Sequence, residues 1–115
     1  MDTTPTPSIA FAALGNRVRL DLFRLLVRAG HPGMRVGEIA DHLGLKASTL
    51  AHHLGALVQA GLVVQAKSGR EVYNRVDYAV MNALIEFLTD ECCRGVARSD
   101  EDKLPEPVQA ATGVR

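Results

Sequence analysis

The chain has 115 residues, about one domain, and its 47% hydrophobic and 23% charged residues are a mixture typical of globular proteins. A formal net charge of zero gives no overall attraction to nucleic acid, and two cysteines are too few for a disulfide framework. Because no apolar run approaches the roughly 20 residues that cross a membrane, and the N-terminus lacks the basic and apolar regions of a signal peptide, we expect a cytoplasmic protein with reduced thiols.

The charge is unevenly distributed along the chain. Residues 16–76 carry nine Lys or Arg and four Asp or Glu, a net charge of +5, whereas residues 77–115 carry four and eight, a net charge of −4, and Asp2 adds −1. A basic centre is compatible with local contacts to phosphates although the total is neutral. A solvated face of mixed charge would look similar, so the distribution alone does not establish a nucleic-acid partner.

One ordered domain is predicted between two irregular ends. Residues 1–7 contain two prolines and are predicted to form a flexible arm. Residues 96–115 are acidic, contain prolines and are predicted to form a disordered tail. Residues 8–95 alternate helix signals with turn signals and are predicted to be the ordered domain.

Two helices open this domain. The stretch IAFAALG predicts a short apolar helix that ends at Gly15. The stretch NRVRLDLFRLLVRAG predicts a longer helix with Asn16 as its N-cap and Gly30 after its last turn. Its apolar residues recur at helical spacing, which predicts one buried face. That face comprises Val18, Leu22, Leu25, Leu26 and Ala29.

Two further short helices follow the turn HPG. The stretch RVGEIADHLG predicts a helix that ends at Gly44, and ASTLAHHLGALVQAG predicts another that ends at Gly61, with the turn GLK between them. A tight turn between two short helices is typical of a helix-turn-helix. The residues predicted to face the core are Val36, Ile39, Ala40 and Leu43 in the first helix and Leu50, Leu54, Leu57 and Val58 in the second.

The periodicity changes after residue 61. LVVQAK and EVYNRV are rich in β-forming residues and are joined by SGR, which predicts a β-hairpin. A long helix is then predicted over YAVMNALIEFLTDECC, capped by Asp77 and followed by Gly95. The complete order predicts a mainly α protein with a small β-hairpin: a winged helix-turn-helix of five helices and a two-stranded wing. The apolar stripe of the last helix comprises Met81, Leu84, Ile85 and Leu88.

Three stretches of the chain resemble the arsenic-responsive repressor family, ArsR/SmtB. They are NRVRLDLFRLL, VGEIADHLGLKASTLAHHLGALVQAGLV and the wing SGREVYNRV, and the resemblance covers residues 8–95. The most specific part is STLAHHLGALVQAGLV, because these repressors typically carry a hydroxyl residue, then His-His-Leu, then a hydrophobic turn that ends in Ala-Gly-Leu-Val. The resemblance implies a homodimer built on the first and last helices. It also implies that the dimer represses transcription from a palindromic operator and is released by an inducer.

The second helix of a helix-turn-helix reads the major groove of DNA. The residues predicted to contact DNA here are Lys46, Ser48, Thr49, His52 and His53. The alternative role of Ser48 and Thr49 is to cap the helix. Adjacent side chains on a helix point about 100° apart, so His52 and His53 are poorly placed to chelate one metal ion. A half-buried, hydrogen-bonded position is the alternative for one of the two histidines.

The wing carries two cations near its tip. Lys67 and Arg70 are predicted to meet phosphates or the minor groove. The alternative role of these charges is to keep the hairpin soluble.

Cys92 and Cys93 are the only cysteines of the chain and are adjacent, at the predicted end of the last helix. Zinc-sensing members of the family carry Asp and His ligands on that helix, which here has no histidine. Some arsenic-sensing members carry cysteines on the first helix of the helix-turn-helix, where VGEIADHL has none. Others carry a Cys-Cys pair at the end of the last helix with a third cysteine a few residues on. Cys92 and Cys93 match this pair, but no third cysteine follows.

Two thiols without a third favour a particular class of inducer. Trivalent arsenic is soft and prefers thiolates; inorganic arsenite has three exchangeable hydroxyls, whereas a methylated or aryl arsenical has two. We therefore expect Cys92 and Cys93 to bind a methylated or aryl trivalent arsenical, or arsenite with a third ligand from a small thiol or the partner subunit. The alternatives are redox or reactive-sulfur sensing, and simple packing, since Cys92 falls in register with Ile85 and Leu88.

The predicted function is that of a dimeric transcriptional repressor that needs no cofactor and leaves its operator when a trivalent arsenical binds its cysteines. The leading alternative keeps the DNA-binding role and senses thiol oxidation or reactive sulfur. An enzyme is not expected, because the chain has no catalytic triad, no phosphate-binding loop and no acid–base carboxylate pair. A pure protein-interaction module would be distinguished by having no salt-dependent affinity for DNA.

Overall fold

The structure is a computed structural model and describes residues 6–98. Within these residues, five helices and one hairpin follow each other in the predicted order, which confirms the fold class of a winged helix-turn-helix. None of the helices in this part of the chain is long and apolar enough to cross a membrane. The elements are α1 (Pro7–Leu14), α2 (Arg17–Ala29), α3 (Val36–Leu43), α4 (Ala47–Gln59), β1 (Val63–Ser68), β2 (Glu71–Val76) and α5 (Tyr78–Thr89).

The first helix begins slightly earlier than predicted. Pro7, the last residue of the predicted arm, is already helical, because proline suits the first position of a helix, where its missing N–H would have no partner. The rest of the predicted arm up to residue 5, and the predicted tail from residue 99, lie outside the described residues. Residues 96–98 are exposed and form neither helix nor strand.

The caps of α2 are those that the sequence predicts. Asn16 Oδ1 accepts a hydrogen bond of 3.0 Å from the backbone N–H of Arg19, which satisfies a donor that the helix itself leaves free. Gly30 follows the last turn with a φ of 69°, a backbone conformation that favours glycine. Because α2 packs against α1, α4 and β2, its buried face also includes Phe23, while Ala29 at its end is exposed.

The core lies where α2, the helix-turn-helix and the base of the hairpin meet. Burial of a Leu, Ile or Val side chain contributes about 1.5–3 kcal/mol to stability, so the buried apolar side chains of this core hold α3 and α4 against α2. Val36, which was expected to face the core, is 39% exposed at the start of α3. The largest fully buried apolar side chains are Leu22, Leu26, Ile39, Leu50, Leu57, Leu62 and Val63.

The two strands of the wing are antiparallel and joined by a two-residue turn. Val63 pairs with Val76 at the base of the hairpin and Ser68 pairs with Glu71 at its tip. Gly69 in the turn has a φ of 63°, which explains why glycine is needed there.

A junction that the sequence did not predict holds the wing against the segment before α3. Met34 and Asn74 exchange backbone hydrogen bonds of 2.9 and 2.8 Å. The Asn74 side chain is fully buried; its Nδ2 donates to the carbonyl oxygen of Met34 at 3.1 Å, and its Oδ1 accepts from Gln65 Nε2 at 2.7 Å. A Cβ at Gly33 would collide with the carbonyl oxygen of Asn74, so the close approach of the two segments requires glycine.

The last helix is anchored at its beginning. Asp77 Oδ1 accepts a hydrogen bond of 3.2 Å from the N–H of Val80 and caps α5 as predicted. The hydroxyl of Tyr78 donates to the carbonyl oxygen of Val27 at 3.0 Å and ties this end to α2.

The other end of α5 differs from the prediction. The helix stops at Thr89 and does not continue through the cysteines. The Thr89 hydroxyl donates to the carbonyl oxygens of Ile85 and Glu86 at 3.2 and 3.3 Å, and Asp90 adopts an extended backbone with φ of −60° and ψ of 138°. The chain therefore leaves the helical path before it reaches Cys92.

Candidate DNA-binding face and thiol pair

The first turn of α4 carries an exposed polar surface. Lys46 is the N-cap, and no side chain accepts a hydrogen bond from the helix there. Ser48 and Thr49 occupy the second and third helical positions, so they are not caps, and both are exposed, as is His52 one turn further on. The first N–H groups of a helix lack intrahelical partners and attract anions. This surface is therefore suited to phosphates and base edges.

His53 lies differently from the outward position predicted for it. It is half-buried, and its Nδ1 lies 3.4 Å from Nη1 of Arg19. A guanidinium group can only donate, so His53 Nδ1 is the acceptor in this contact. Desolvation lowers the pKa of His53, and the neighbouring Arg19 and His52 lower it further. His53 therefore faces α2, which is the half-buried alternative considered above for one of the two histidines.

The two adjacent histidines do not form part of a larger ligand cluster. Their ring centroids are 5.2 Å apart and the rings are inclined by 64°, an edge-to-face arrangement. Within residues 6–98 there is no group of three or more His, Cys, Asp or Glu side chains that could hold a metal ion.

The predicted wing residues lie at the exposed end of the hairpin. Lys67 is on β1 close to the tip, and Arg70 is in the turn itself. Both are exposed, on the same hairpin that Asn74 anchors at its buried part. The wing therefore presents two cations on a support that is tied to the helix-turn-helix.

The two thiols approach each other closely after the end of α5. Cys92 Sγ and Cys93 Sγ are 3.2 Å apart, and both residues are exposed. A disulfide would bring the sulfurs to about 2 Å, so these are free thiols that share a hydrogen bond. Two causes raise the pKa of the Cys92 thiol: this hydrogen bond, which is the larger, and desolvation, which is the smaller. Two sulfurs on one ion, each bound at roughly 2.3 Å, can be at most about 4.6 Å apart, so the pair is close enough to bind one soft centre.

The sulfurs converge because the segment that carries them is not helical. Glu91 and Cys93 have φ angles of 62° and 65°, in the left-handed region. In a regular helix neighbouring side chains point about 100° apart. The left-handed backbone at Glu91 and Cys93 instead places the two cysteine side chains side by side. The exposure of Cys92 also means that packing within the protomer does not account for it.

Among the described helices, the most exposed large apolar side chains lie on α1 and α5. Ile85 and Leu88 on α5 are 53% and 65% exposed, Phe87 is 57% exposed, and Ile9 on α1 is 58% exposed. Exposed apolar side chains that cluster together can mark a surface for a partner. α1 and α5 are the helices that the resemblance implies for a dimer.

Comparison with known proteins agrees with this architecture. A family model described as a helix-turn-helix domain matches residues 14–66. Among solved structures, an ArsR-like transcriptional regulator from Rhodococcus sp. RHA1 is 30% identical with a TM-score of 0.64, and the match covers 71% of this chain and 74% of that one. The chain belongs to the ArsR family.

Two further structures are similar to this ArsR-family chain. A homodimeric winged helix-turn-helix DNA-binding domain from Mycobacterium bovis, a possible ArsR-family regulator, is 28% identical with a TM-score of 0.56 and covers 80% of this chain and 86% of its own. A possible transcriptional regulator for arsenical resistance is 30% identical with a TM-score of 0.56, and the match covers 74% of this chain and 90% of that one. No curated protein matches the sequence. The relatives are transcriptional regulators, not enzymes, which confirms the expectation of a non-enzymatic, DNA-binding regulator.

Arg19 and Arg35 of the ArsR-family chain form contacts that sequence reasoning missed. Arg19 meets His53, as described above. Arg35 donates its backbone N–H to Glu38 Oε1 at 2.9 Å, and its Nη1 lies 3.6 Å from Glu71 on the wing. The spacing of Arg35 and Glu38 resembles a capping box, so the contact between these two residues was detectable in the sequence. The contact of Arg19 joins residues 34 positions apart and had no local signal.

Proposed function

We propose that this regulator is a dimeric repressor that leaves its operator when a trivalent arsenical binds Cys92 and Cys93. The observation that carries the proposal is the pair of exposed thiols 3.2 Å apart. The protein acts in the cytoplasm, where reducing conditions keep both residues as thiols. Residues 8–95 form the domain that binds DNA and dimerises.

Operator contact involves the exposed start of α4 and the wing. Ser48, Thr49 and His52 face the major groove, and Lys46 meets phosphate beside the uncapped helix N-terminus. Lys67 and Arg70 contact the backbone or the minor groove. The family membership and the exposure of all six residues support this assignment.

Dimerisation joins α1 and α5 of two subunits. Exposed apolar residues on both helices support it, as does the homodimeric relative. One recognition helix reads only a few base pairs, so a two-fold dimer extends the site and raises specificity. The thiol pair follows α5 directly, so a ligand there acts at the end of a dimer helix.

The number of thiols favours an organic arsenical. When methylarsenite binds, two As–S bonds replace two As–O bonds, the two thiol protons leave with the two hydroxides as water, and no electron is transferred. The carbon substituent fills the third position of arsenic. Within residues 6–98 no third His, Cys, Asp or Glu completes a cluster with the two thiols, so inorganic arsenite needs a ligand from a small thiol or from the partner subunit.

A redox sensor is the second candidate function. Two thiols at this distance can also be oxidised together. The raised pKa of Cys92 lowers its thiolate fraction, and the thiolate is the form that reacts. The thiolate is also the form that binds a soft ion, so the raised pKa slows both reactions alike, and the experiment below separates the two.

The test is a fluorescence-polarisation titration on a duplex selected from random-sequence DNA by the reduced protein. Arsenite, methylarsenite, zinc chloride and a mild oxidant are added in turn. Methylarsenite is expected to release the duplex at a far lower concentration than arsenite. The double variant Cys92→Ser/Cys93→Ser should bind the duplex normally and resist release. Release by the oxidant alone would establish the redox sensor instead, and release of the serine variant by methylarsenite would refute the thiol site.

A further inference from the structure

Arg19 connects three helices through two contacts. Its Nε donates to the carbonyl oxygen of Ala13 at 2.7 Å, and its Nη1 lies 3.4 Å from His53 Nδ1. Ala13 belongs to α1, Arg19 to α2 and His53 to the recognition helix α4. A single guanidinium group therefore spans from the end of α1 to the helix that reads DNA.

The contact with α1 is chemically well matched. Ala13 is among the last residues of α1, whose carbonyl groups have no partner inside the helix. A cation is favourable at the C-terminal end of a helix, and the charged donor makes a stronger bond than a neutral one. The bond to Ala13 thus fixes the position of the Arg19 side chain, and with it the position of the guanidinium nitrogen that contacts His53.

The contact with α4 falls where it can control DNA binding. Thr49 and His53 are four positions apart on α4 and therefore lie on one side of the helix, while His52 next to His53 is exposed. The three buried leucines of α4 hold the helix in the core, and the contact of His53 adds a polar restraint on its rotation. Since Ser48, Thr49 and His52 move with the same helix, this contact contributes to their direction towards DNA.

We propose that Arg19 is a positioning residue of the DNA-binding site, which joins the end of α1 to the recognition helix through His53 and refines the rotation of α4 that the core defines. It does not touch DNA. The proposal rests on operator binding by this regulator, but not on the identity of its inducer.

The experiment measures affinity for the selected duplex at several salt concentrations. Arg19→Leu removes both contacts, and His53→Leu removes only the contact with α4. His53→Asn keeps an acceptor, because Asn Oδ1 is the same number of bonds from the backbone as His Nδ1. Arg17→Leu is the matched control, since it removes an equal charge from an exposed position on the same helix.

Arg19→Leu and His53→Leu are each expected to weaken binding about tenfold, equivalent to roughly 1.4 kcal/mol. The double variant Arg19→Leu/His53→Leu should bind the duplex no more weakly than either single variant, because both substitutions remove the same contact between α2 and α4. His53→Asn should stay within about twofold of the wild type. The slope of log K against log salt, which is negative, should not change in Arg19→Leu. Loss of a phosphate contact would reduce the magnitude of this slope by about 0.9.

Three results would overturn the positioning role. A lower salt slope in Arg19→Leu would make Arg19 a phosphate contact. Equal losses in His53→Asn and His53→Leu would make His53 a base contact, and multiplicative losses in the double variant would make the two residues independent. The His53 variants leave the contact with Ala13 intact, so they test the proposal even if Arg19→Leu does not fold. If the wild type binds no duplex at all, operator binding itself fails, and the positioning role falls with it.

Discussion

Replacement of Leu88 by alanine should weaken the dimer without unfolding the subunit. Leu88 is 65% exposed on α5, so the folded subunit loses little when the side chain is removed. Full burial of a leucine side chain contributes about 1.5–3 kcal/mol, and burial of the exposed 65% therefore contributes roughly 1–2 kcal/mol per subunit. A two-fold interface contains the residue twice, which gives about 2–4 kcal/mol for the dimer.

The dimer dissociation constant of Leu88→Ala should therefore rise by between about 30-fold and several hundred-fold. Sedimentation equilibrium on the wild type and the variant measures this change, and urea unfolding measures the stability of each. The matched control is Val72→Ala, which shortens an exposed apolar side chain on the wing and should leave the dimer intact. If Leu88→Ala dimerises as tightly as the wild type, the exposed end of α5 is not the interface and the dimer must be built elsewhere.

Three other outcomes follow from the structure. Asn74→Ala removes two hydrogen bonds from a buried site and should lower the free energy of unfolding by about 1–3 kcal/mol in urea titrations, whereas Asn82→Ala at an exposed position should change it little. The pKa of His53 is lowered in the folded protein, so as the pH falls below about 6.5 the unfolded chain takes up the proton first and stability declines; His53→Asn should flatten that decline, and an unchanged profile would contradict the assignment. Lys46→Ala should lower the slope of log K against log salt by about 0.9, and an unchanged slope would show that Lys46 makes no phosphate contact.

The candidate DNA-binding face was more accessible to sequence reasoning than the thiol segment. The exposed positions Lys46, Ser48, Thr49 and His52 follow from the helical period and the position of the turn, both of which are local. His53 has the same local signal, but its contact with Arg19 turns it inward. No periodicity detects a contact between residues 34 positions apart.

The sequence by itself determined the order of the elements, the caps Asn16 and Asp77, and the glycine at the hairpin turn. These features depend on hydrogen bonds and backbone preferences within a few residues, so composition and spacing are sufficient. Only the tertiary structure decided how the wing is attached at Met34, because that attachment joins segments 40 residues apart. The end of α5 and the turn beyond it are local, since Thr89 bonds to carbonyl groups three and four positions back, but only the structure showed where the helix stops. The cysteines could therefore be recognised as a pair from the sequence, whereas their approach to 3.2 Å depends on the left-handed backbone beyond the helix.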